Sequence, residues 1–180
     1  MKKDVSIDEL ADLALATSEG YRLVALIDGR SGAGKTTLAR DLADALTQRL
    51  GKPVQTVSLD DVYPGWDGLA AAAAAVPQML ASVGAGYRRY DWVEARQADW
   101  VAIDPKAPII IEGSGAITQK SAPKATLRIW VDGPEAVRRQ AVTARDGDVT
   151  PWWANWSAQE QTHIEADDPI TLADVVIDAA

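Results

Sequence analysis

The stretch that decides the fold reads Gly29-Arg30-Ser31-Gly32-Ala33-Gly34-Lys35-Thr36. It matches the pattern G-x-x-x-x-G-K-[ST] in full, and each fixed position has a chemical reason. The glycines let the backbone wrap so that several N–H groups converge on phosphate oxygens. Lys35 supplies a point charge to the β- and γ-phosphates, and the Thr36 hydroxyl ligates Mg²⁺. We therefore expect ATP or a related nucleoside triphosphate to bind with Mg²⁺, at Gly29, Ser31, Gly32, Ala33, Gly34, Lys35, Thr36 and Thr37.

The sequence on either side of this loop supports the same interpretation. Leu23 to Ile27 is an unbroken apolar run, which is typical of a parallel strand buried on both faces. After the loop, Thr37 to Leu50 carries a leucine at every fourth position, which predicts a helix with one apolar face, and Gly51 marks its end. A chance glycine-rich turn would not need a buried strand before it and an amphipathic helix after it.

The rest of the chain alternates between short apolar runs and helical patterns. Further strands are expected at 54–59, 109–111, 127–131 and 175–177, with a hairpin at 87–92 and 100–103. Helices are expected at 7–18 behind a Ser6–Glu9 capping box, in the alanine-rich stretch that Pro77 should kink or split, at 134–144, and after Pro151. This alternation predicts a single three-layer α/β domain over residues 1–180 with a five-stranded parallel sheet.

The composition argues against several kinds of protein. The net charge of -8 argues against a nucleic-acid partner, because binding to a phosphate backbone needs clustered Lys and Arg. The chain has no cysteine, which excludes disulfides and thiolate metal sites and is consistent with a reducing compartment. The uncharged stretch 68–87 is rich in alanine and too weakly apolar to enter a membrane. Two lysines follow Met1 without a continuous apolar segment after them, so we expect no signal peptide. We expect a cytoplasmic protein with no membrane partner.

Two large classes of nucleotide-binding protein lack support in the sequence. A switch GTPase needs a D-x-x-G segment and an N-K-x-D guanine reader, and neither is present. A transporter-type ATPase would carry an L-S-G-G-Q signature, which is also absent. The class that remains among small proteins with this phosphate loop is the nucleoside and small-molecule kinases.

Four segments, taken together, resemble the uridine kinase family and its relatives phosphoribulokinase and bacterial pantothenate kinase. They follow one another at compatible spacing, at 31–37, 58–63, 111–113 and 130–146, and the closing segment 173–177 is similar to the last strand of the family. The resemblance covers nearly the whole chain after residue 20. It implies a P-loop NTPase fold of the nucleoside-kinase type with a lid at about 145–165.

The resemblance and the strand positions together suggest two acidic site residues. Asp60 aligns with the proposed catalytic base of the family and follows the second strand, at the sheet edge where open α/β sheets bind ligands. A cap of a turn is the alternative role for Asp60, and Asp61 could be the base instead. Glu112 ends a strand of three isoleucines, so we expect it to face the nucleotide and hold Mg²⁺ through water, unless it serves as a helix N-terminal carboxylate.

Arg138 and Arg145 match arginines in the lid of the family. They are seven residues apart, so on a continuous helix they lie on roughly one face, and a guanidinium suits a moving phosphoryl group. Surface charges are the alternative interpretation. Asp132 precedes Gly133-Pro134 and is expected to cap the helix that follows. We expect the polar segment 145–150 to be a mobile flap between two helices.

The region between residues 66 and 104 departs from the uridine kinase pattern. The segments 64–68 and 87–92 instead resemble a group of actinobacterial-type proteins, which implies a distinct subfamily. We expect the acceptor to bind at Tyr63, Arg89 and Asp91, with help from Trp66 and Tyr90. Aromatic rings could stack on a base and Asp91 could accept ribose hydroxyls, although the same residues could form the polar face of a hairpin.

The sequence does not assign a role to a group of three tryptophans or to the single histidine. Trp152, Trp153 and Trp156 form one helical stripe, which is more typical of packing than of a base-stacking surface. His163, the single histidine, lies in a polar helical segment and is expected to be exposed.

The sequence therefore predicts a kinase that uses ATP and Mg²⁺ to phosphorylate a hydroxyl of a small-molecule acceptor, for example a nucleoside such as uridine. A sugar phosphate or a pantothenate-like alcohol is the alternative acceptor. A nucleotide-binding regulator without transfer activity is the rival from another class. The sequence does not decide between a monomer and a homo-oligomer.

Overall fold

The computed structural model describes residues 5–178, and over this range the chain forms a five-stranded parallel sheet beside a two-stranded antiparallel hairpin. The strands in chain order are β1 (Val24–Gly29), β2 (Gln55–Ser58), β3 (Gly86–Asp91), β4 (Arg96–Ala102), β5 (Ile109–Glu112), β6 (Leu127–Asp132) and β7 (Val175–Asp178). The parallel sheet has the order β2-β5-β1-β6-β7, and the hairpin pairs β3 with β4.

The helices in chain order are α1 (Ile7–Thr17), α2 (Lys35–Leu50), α3 (Leu69–Met79), α4 (Glu135–Asp146), α5 (Thr150–Asp167) and α6 (Pro169–Leu172). Short 3₁₀ turns occupy Leu59–Asp61 and Ala122–Lys124. The expected capping box of α1 is present, because Ser6 Oγ accepts from Glu9 N and the Glu9 carboxyl accepts from Ser6 N.

The central strand β1 divides the hydrophobic core into two layers. Val24 and Leu26 face a cluster that includes α3, the hairpin and Trp156 of α5. Ala25 and Ile27 face a cluster built from α1 and α2. Successive residues of a strand point to opposite faces, so an unbroken apolar run is what a strand covered on both sides requires. The predicted three-layer α/β fold with a five-stranded parallel sheet is confirmed.

The alanine-rich helix does not break where the sequence predicted. α3 continues through Pro77 and ends at Met79, so the helix is not split there, and the expected kink stays a prediction. Pro77 lies in the last turn, where a missing N–H removes one hydrogen bond close to the end of the helix.

Two boundaries near the predicted lid also differ from expectation. Arg145 and Asp146 belong to the last turn of α4, and α5 begins at Thr150, so the connection between the helices is three residues long. The start of the chain, where no signal peptide is expected, lies outside the described residues. Within residues 5–178, no helix is both long and apolar enough to cross a membrane.

Candidate active site

The phosphate loop connects the end of β1 to the start of α2 and is held by close backbone packing. Gly29 has φ 148°, and a Cβ built there would lie 1.8 Å from the carbonyl oxygen of Val131 in the neighbouring strand. Gly32 has φ 80°, and a Cβ there would lie 2.3 Å from the carbonyl oxygen of Arg138. Only glycine fits both positions, which explains in steric terms why the loop carries glycine at these sites.

Lys35 occupies the first turn of α2 and its ammonium group lies beneath the loop. Its Nζ donates to the carbonyl oxygens of Gly29 and Arg30 at 2.9 Å each and lies 3.4 Å from Ser114 Oγ. The residue is 8% exposed, so this charge is positioned by backbone acceptors rather than by bulk water. A phosphate entering the loop would meet a cation and the positive end of α2 together.

Glu112 and Thr36 meet at the carboxyl end of β5. Thr36 Oγ1 donates to Glu112 Oε1 at 3.1 Å, and Glu112 is 5% exposed. Burial raises the pKa of the Glu112 carboxyl, against the lowering effects of hydrogen bonds from Ser58 and Thr36 and of the charge on Lys35. These oxygen donors fit Mg²⁺, which binds proteins through one or two hard oxygen ligands plus water and phosphate. Among the described residues there is no group of three or more His, Asp or Glu side chains arranged to hold a metal by themselves.

Asp60 lies in the 3₁₀ turn that follows β2. Its backbone N–H donates to Ser58 Oγ at 3.3 Å, and its carbonyl oxygen accepts from Trp92 Nε1 at 2.9 Å. The turn is therefore fastened both to β2 and to the tip of the hairpin. Its neighbour Asp61 lies toward Tyr87, whose pKa is raised by burial and, to a smaller extent, by Asp61.

The residues above open onto one cavity of about 670 Å³, which we call the cleft. This volume is within the range typical of small-molecule sites, about 300–1,000 Å³. The cleft is lined by Ser31, Gly32, Gly34, Lys35, Thr36, Thr37, Asp60, Tyr63, Trp66, Trp92, Glu112, Ser114, Ala141, Val142, Arg145, Asp146, Trp152 and Trp156.

Two solved structures that share this architecture are described as a possible and a candidate kinase. The chain superimposes on a possible uridine kinase from Bacillus stearothermophilus with a TM-score of 0.67 and 23% identity, covering 96% of this chain and 97% of that chain. A candidate fructose transport system kinase from Silicibacter sp. TM1040 gives a TM-score of 0.62 and 17% identity, covering 96% and 98%. The protein has the fold of a P-loop kinase. No protein-family model matches the sequence, and no curated protein matches it significantly.

The two arginines predicted for the lid of this P-loop kinase fold occupy different environments. Arg138 is 5% exposed and donates to the backbone carbonyls of Gly133 at 2.9 Å and Ser31 at 3.0 Å. Its guanidinium therefore supports the phosphate loop from behind, rather than facing the cleft as the sequence suggested. Arg145 lines the cleft and forms a two-pronged ion pair with Asp146, at 2.7 and 2.6 Å. That pairing raises the pKa of the Arg145 guanidinium.

Asp132 does not cap α4, which corrects the sequence prediction. Pro134 is the residue that precedes the helix, and the Asp132 carboxyl accepts from Gly133 N at 2.8 Å. The same carboxyl lies 3.3 Å from Arg138 Nε and 3.6 Å from Arg30 Nε. Asp132 thus pairs with the arginine behind the loop, because β6 ends beside it.

Part of the cleft wall is formed by indole rings. Trp66 stacks on Trp152 with ring centroids 4.8 Å apart and an interplanar angle of 20°. Trp92 lies 5.2 Å from Trp66 in a tilted arrangement, and Trp156 meets Tyr63 edge-on at 4.7 Å. The three tryptophans of the α5 stripe therefore have different environments. Trp152 lines the cleft from a partly exposed position, Trp156 lines it while buried, and Trp153 packs against α4.

The predicted acceptor residues are only partly brought together. Tyr63 lines the cleft and is 2% exposed, and its hydroxyl donates to the Ser114 carbonyl at 2.8 Å. Burial raises the pKa of the Tyr63 hydroxyl well above its usual value. Arg89 lies on the exposed surface of β3, and Asp91 caps the hairpin turn by accepting from Val93 N and Glu94 N at 3.0 Å. Those backbone bonds lower the pKa of Asp91. Neither Arg89 nor Asp91 is among the residues that line the cleft, and their predicted contact with the acceptor stays a prediction.

His163 is buried, contrary to the sequence prediction. It is 6% exposed, with Nε2 at 3.0 Å from Asp28 Oδ2 and Nδ1 at 3.3 Å from Asp167 Oδ2. Burial lowers the pKa of His163, but the two carboxyl groups outweigh this effect and the pKa is raised overall. The Asp28 carboxyl also accepts from the backbone of Gly29, Gly115 and Ile117.

The sequence analysis missed Asp28, Ser114 and Glu160, which surround the phosphate loop. The signal that could have found Asp28 is a charged residue at the end of an otherwise apolar strand, the same feature that identified Glu112. Glu160 offers no local signal, because its contacts with Ser31 and Ser114 join residues far apart in the sequence.

Proposed function

We propose that this protein is a kinase that transfers the γ-phosphate of ATP to a hydroxyl group of a small molecule. The observation that carries the proposal is the cleft, in which Lys35, Thr36, Asp60, Glu112 and Arg145 line one cavity. Phosphoryl transfer depends mainly on positioning and charge stabilisation, and these side chains supply a cation, a metal ligand pair, a carboxyl group and a guanidinium.

The phosphate loop would hold the nucleotide. Its backbone N–H groups and the Lys35 ammonium would bind the phosphate oxygens of ATP. Thr36 and Glu112 would hold Mg²⁺, the latter through water. When bound, Mg²⁺ would neutralise charge on the phosphates.

Asp60 would act as the general base of the reaction. Its carboxylate would take the proton of the acceptor hydroxyl as the acceptor oxygen forms a bond to the γ-phosphorus. The bond between the γ-phosphorus and the bridging oxygen breaks, and ADP leaves. Arg145 would stabilise the charge of the transferring group, after exchanging its bond to Asp146 for one to the phosphate.

The acceptor would bind in the part of the cleft that the indole rings line. Trp66, Trp92 and Trp152 present flat apolar surfaces there, which favours an acceptor with a planar ring, for example a nucleoside such as uridine. A phosphorylated acceptor would be favoured by two or more arginines in this part, whereas Arg145 is the arginine in the cleft lining of the described residues.

Residues 145–165 would form a lid over the cleft within a single kinase-like domain. This segment contains the end of α4 and most of α5, and it carries Arg145 and Trp152 into the cleft. A lid that closes over both substrates would exclude water, which otherwise competes for the phosphoryl group.

A substrate panel tests the proposal. Nucleosides, sugar phosphates and pantothenate-like alcohols are each incubated with ATP and Mg²⁺, and ADP release is confirmed by the mass of the phosphorylated product. We expect turnover with a nucleoside and its near loss in Lys35→Ala, which keeps the fold. If a sugar phosphate is the sole acceptor that is turned over, the prediction of a nucleoside acceptor is wrong and the prediction of a kinase still holds. ADP release that no acceptor stimulates would favour a nucleotide-binding regulator.

A further inference from the structure

Glu160 of α5 is a buried acidic residue at the centre of the site, and it is 2% exposed. Its Oε1 lies near three donor groups: it accepts from Ser31 N at 2.6 Å and from Trp156 Nε1 at 3.0 Å, and it lies 3.1 Å from Ser114 Oγ. The single hydroxyl hydrogen of Ser114 is shared with the Gly29 carbonyl, which lies 2.9 Å from the same Oγ. Oε1 is thus the acceptor that the Ser31 N–H and the Trp156 N–H need at this buried position.

The three donors belong to different parts of the cleft. Ser31 is in the phosphate loop, and Ser114 follows β5 with its Oγ 3.4 Å from Lys35 Nζ. Trp156 meets the ring of Tyr63 edge-on, in the wall beside Asp60. Oε1 of Glu160 is thus the atom through which α5 contacts the loop, the neighbourhood of Lys35 and the aromatic wall.

The backbone of Ser31 is held from two sides. Its N–H donates to Glu160, and its carbonyl accepts from Arg138 Nη1 at 3.0 Å. Fixing the N–H and the C=O of one residue fixes the orientation of the two peptide planes that flank it. The phosphate loop binds through backbone N–H groups, so their orientation before ATP arrives determines how much ordering binding must impose.

We propose that Glu160 is a positioning residue that keeps the phosphate loop in its nucleotide-binding conformation by accepting the Ser31 N–H. The proposal rests on the proposed function, because it assumes that the loop binds a nucleoside triphosphate. Glu160 acts through Ser31 and Ser114 and makes no contact of its own with the substrates. The essential feature is an acceptor atom at the position of Oε1.

The second oxygen of the same carboxyl group allows this role to be separated from general stability. Glu160 Oε2 is buried, and within residues 5–178 it has no hydrogen-bond partner. In Glu160→Gln the amide oxygen can occupy the position of Oε1, while the amide nitrogen replaces Oε2 and is left buried without an acceptor. That variant should lose stability and keep the acceptor for Ser31. Glu160→Met keeps the length of the side chain and removes both oxygens.

His163→Ala provides a control for stability. His163 lies three residues further along α5, is similarly buried, and bonds to Asp28 and Asp167. When the imidazole of His163 is removed, the Asp28 carboxyl still accepts from the backbone N–H groups of Gly29, Gly115 and Ile117. The variant should therefore lower the unfolding midpoint and leave the Ser31–Glu160 contact in place.

The experiment measures the Kd of the non-hydrolysable β,γ-imido analogue of ATP with Mg²⁺ by calorimetry, beside the thermal midpoint of each variant. We expect Kd to rise about tenfold or more in Glu160→Met, since the Ser31 N–H loses its acceptor and the loop is no longer held before ATP binds. We expect Kd to stay within about threefold of the wild type in Glu160→Gln and His163→Ala, even though their midpoints fall. An unchanged Kd in Glu160→Met, or Kd values that follow the midpoints across all three variants, would overturn the proposal.

Backbone hydrogen exchange of the unliganded wild type tests the same contact without any variant. The Ser31 N–H should exchange slowly, although the loop is at the surface of the cleft, because it is bonded to a buried acceptor. Fast exchange at Ser31 would contradict the positioning role even if Glu160→Met failed to fold. A wild type that binds no nucleotide while Ser31 is protected would count against the proposed function and leave the Ser31–Glu160 contact established.

Discussion

Thr36 Oγ1 donates a hydrogen bond of 3.1 Å to Glu112 Oε1, which joins the first turn of α2 to the carboxyl end of β5. The pair brings a hydroxyl and a carboxyl group together on the wall of the cleft, beside Lys35. Oxygen donors arranged in this way can share Mg²⁺ with phosphate oxygens and water. The parallel register places Glu112 next to Ile27 of β1, two residues before the loop begins.

We predict that Glu112→Gln raises the Mg²⁺ concentration needed for half-maximal activity. The amide keeps the size of the side chain and removes the negative charge, so the expected rise is about tenfold or more. The measurement is a Mg²⁺ titration of ADP release at saturating ATP. Glu165→Gln, at an exposed position of α5, is the matched control. If the Mg²⁺ titration curve does not shift in Glu112→Gln, Glu112 does not help to hold the metal.

We predict that Asp60→Asn lowers kcat by roughly 10²- to 10⁴-fold, because an amide cannot accept the proton of the acceptor hydroxyl. The affinity for ATP should change little, since the phosphate loop holds the nucleotide. Asp61→Asn is the adjacent control, because Asp61 lies toward Tyr87 rather than on the cleft wall. A large loss in Asp61→Asn with normal turnover in Asp60→Asn would transfer the role of base to the neighbouring residue.

The fold could be predicted from the sequence because its signals are local. The loop motif fixes a strand before it and a helix after it, and the isoleucine run of β5 needs no partner to indicate burial. Glu112 was found for the same reason, since a carboxyl group at the end of an apolar strand lies at the sheet edge. Its role and those of Lys35 and Asp60 stay predictions.

The environment of α5 could not be predicted because its partners are distant in the sequence. His163 bonds to Asp28 across 135 residues, and Glu160 bonds to Ser31 across 129. A polar helical stretch normally faces water, and nothing local shows that its polar groups have buried partners. Asp91 has partners close in the sequence instead, because an Asp at a tight turn accepts hydrogen bonds from the backbone that follows it.

We predict that the protein becomes less stable as the pH rises from about 6 to about 9, and that His163 contributes to this trend. Its folded-state pKa is raised above 6.5, so its contribution is fully present below the unfolded value and is lost as the pH passes the folded value. Urea unfolding across this range measures the change. His163→Gln keeps a donor for Asp28 and does not titrate. The free energy of unfolding of this variant should therefore fall less over the same pH range than that of the wild type. An identical decline in both proteins would show that other groups are responsible.

We predict that Arg145→Ala lowers kcat by at least about tenfold and changes the affinity for ATP much less. Arg145 is paired with Asp146 in this structure, so its charge acts on the phosphoryl group only after the ion pair opens. Single-turnover rates and the Kd of the ATP analogue separate the two effects. The control is Arg139→Ala, because Arg139 is also an arginine of α4 and is exposed. Equal losses in rate and in ATP affinity would indicate a binding role instead.

The indole stack at the mouth of the cleft leads to the last prediction. Trp66 follows the turn that carries Asp60, and Trp152 is near the start of α5, so their stacking connects the acceptor side to the predicted lid. Gln159 of α5 reinforces the connection by donating to the Trp66 carbonyl at 2.8 Å. We expect Trp152→Ala to raise the KM of the acceptor by about tenfold, because a stacked ring contributes about 1–3 kcal/mol when a base packs on it.

The control for this prediction is the KM of ATP, which should stay within about twofold because the phosphate loop, rather than Trp152, is proposed to hold ATP. Trp152→Phe should recover most of the lost affinity, since it restores a flat ring of smaller area. Near-ultraviolet circular dichroism should lose the exciton signal of the Trp66–Trp152 pair in both variants. A KM that rises equally for ATP and for the acceptor would mean that Trp152 supports the closed cleft as a whole and does not recognise the acceptor.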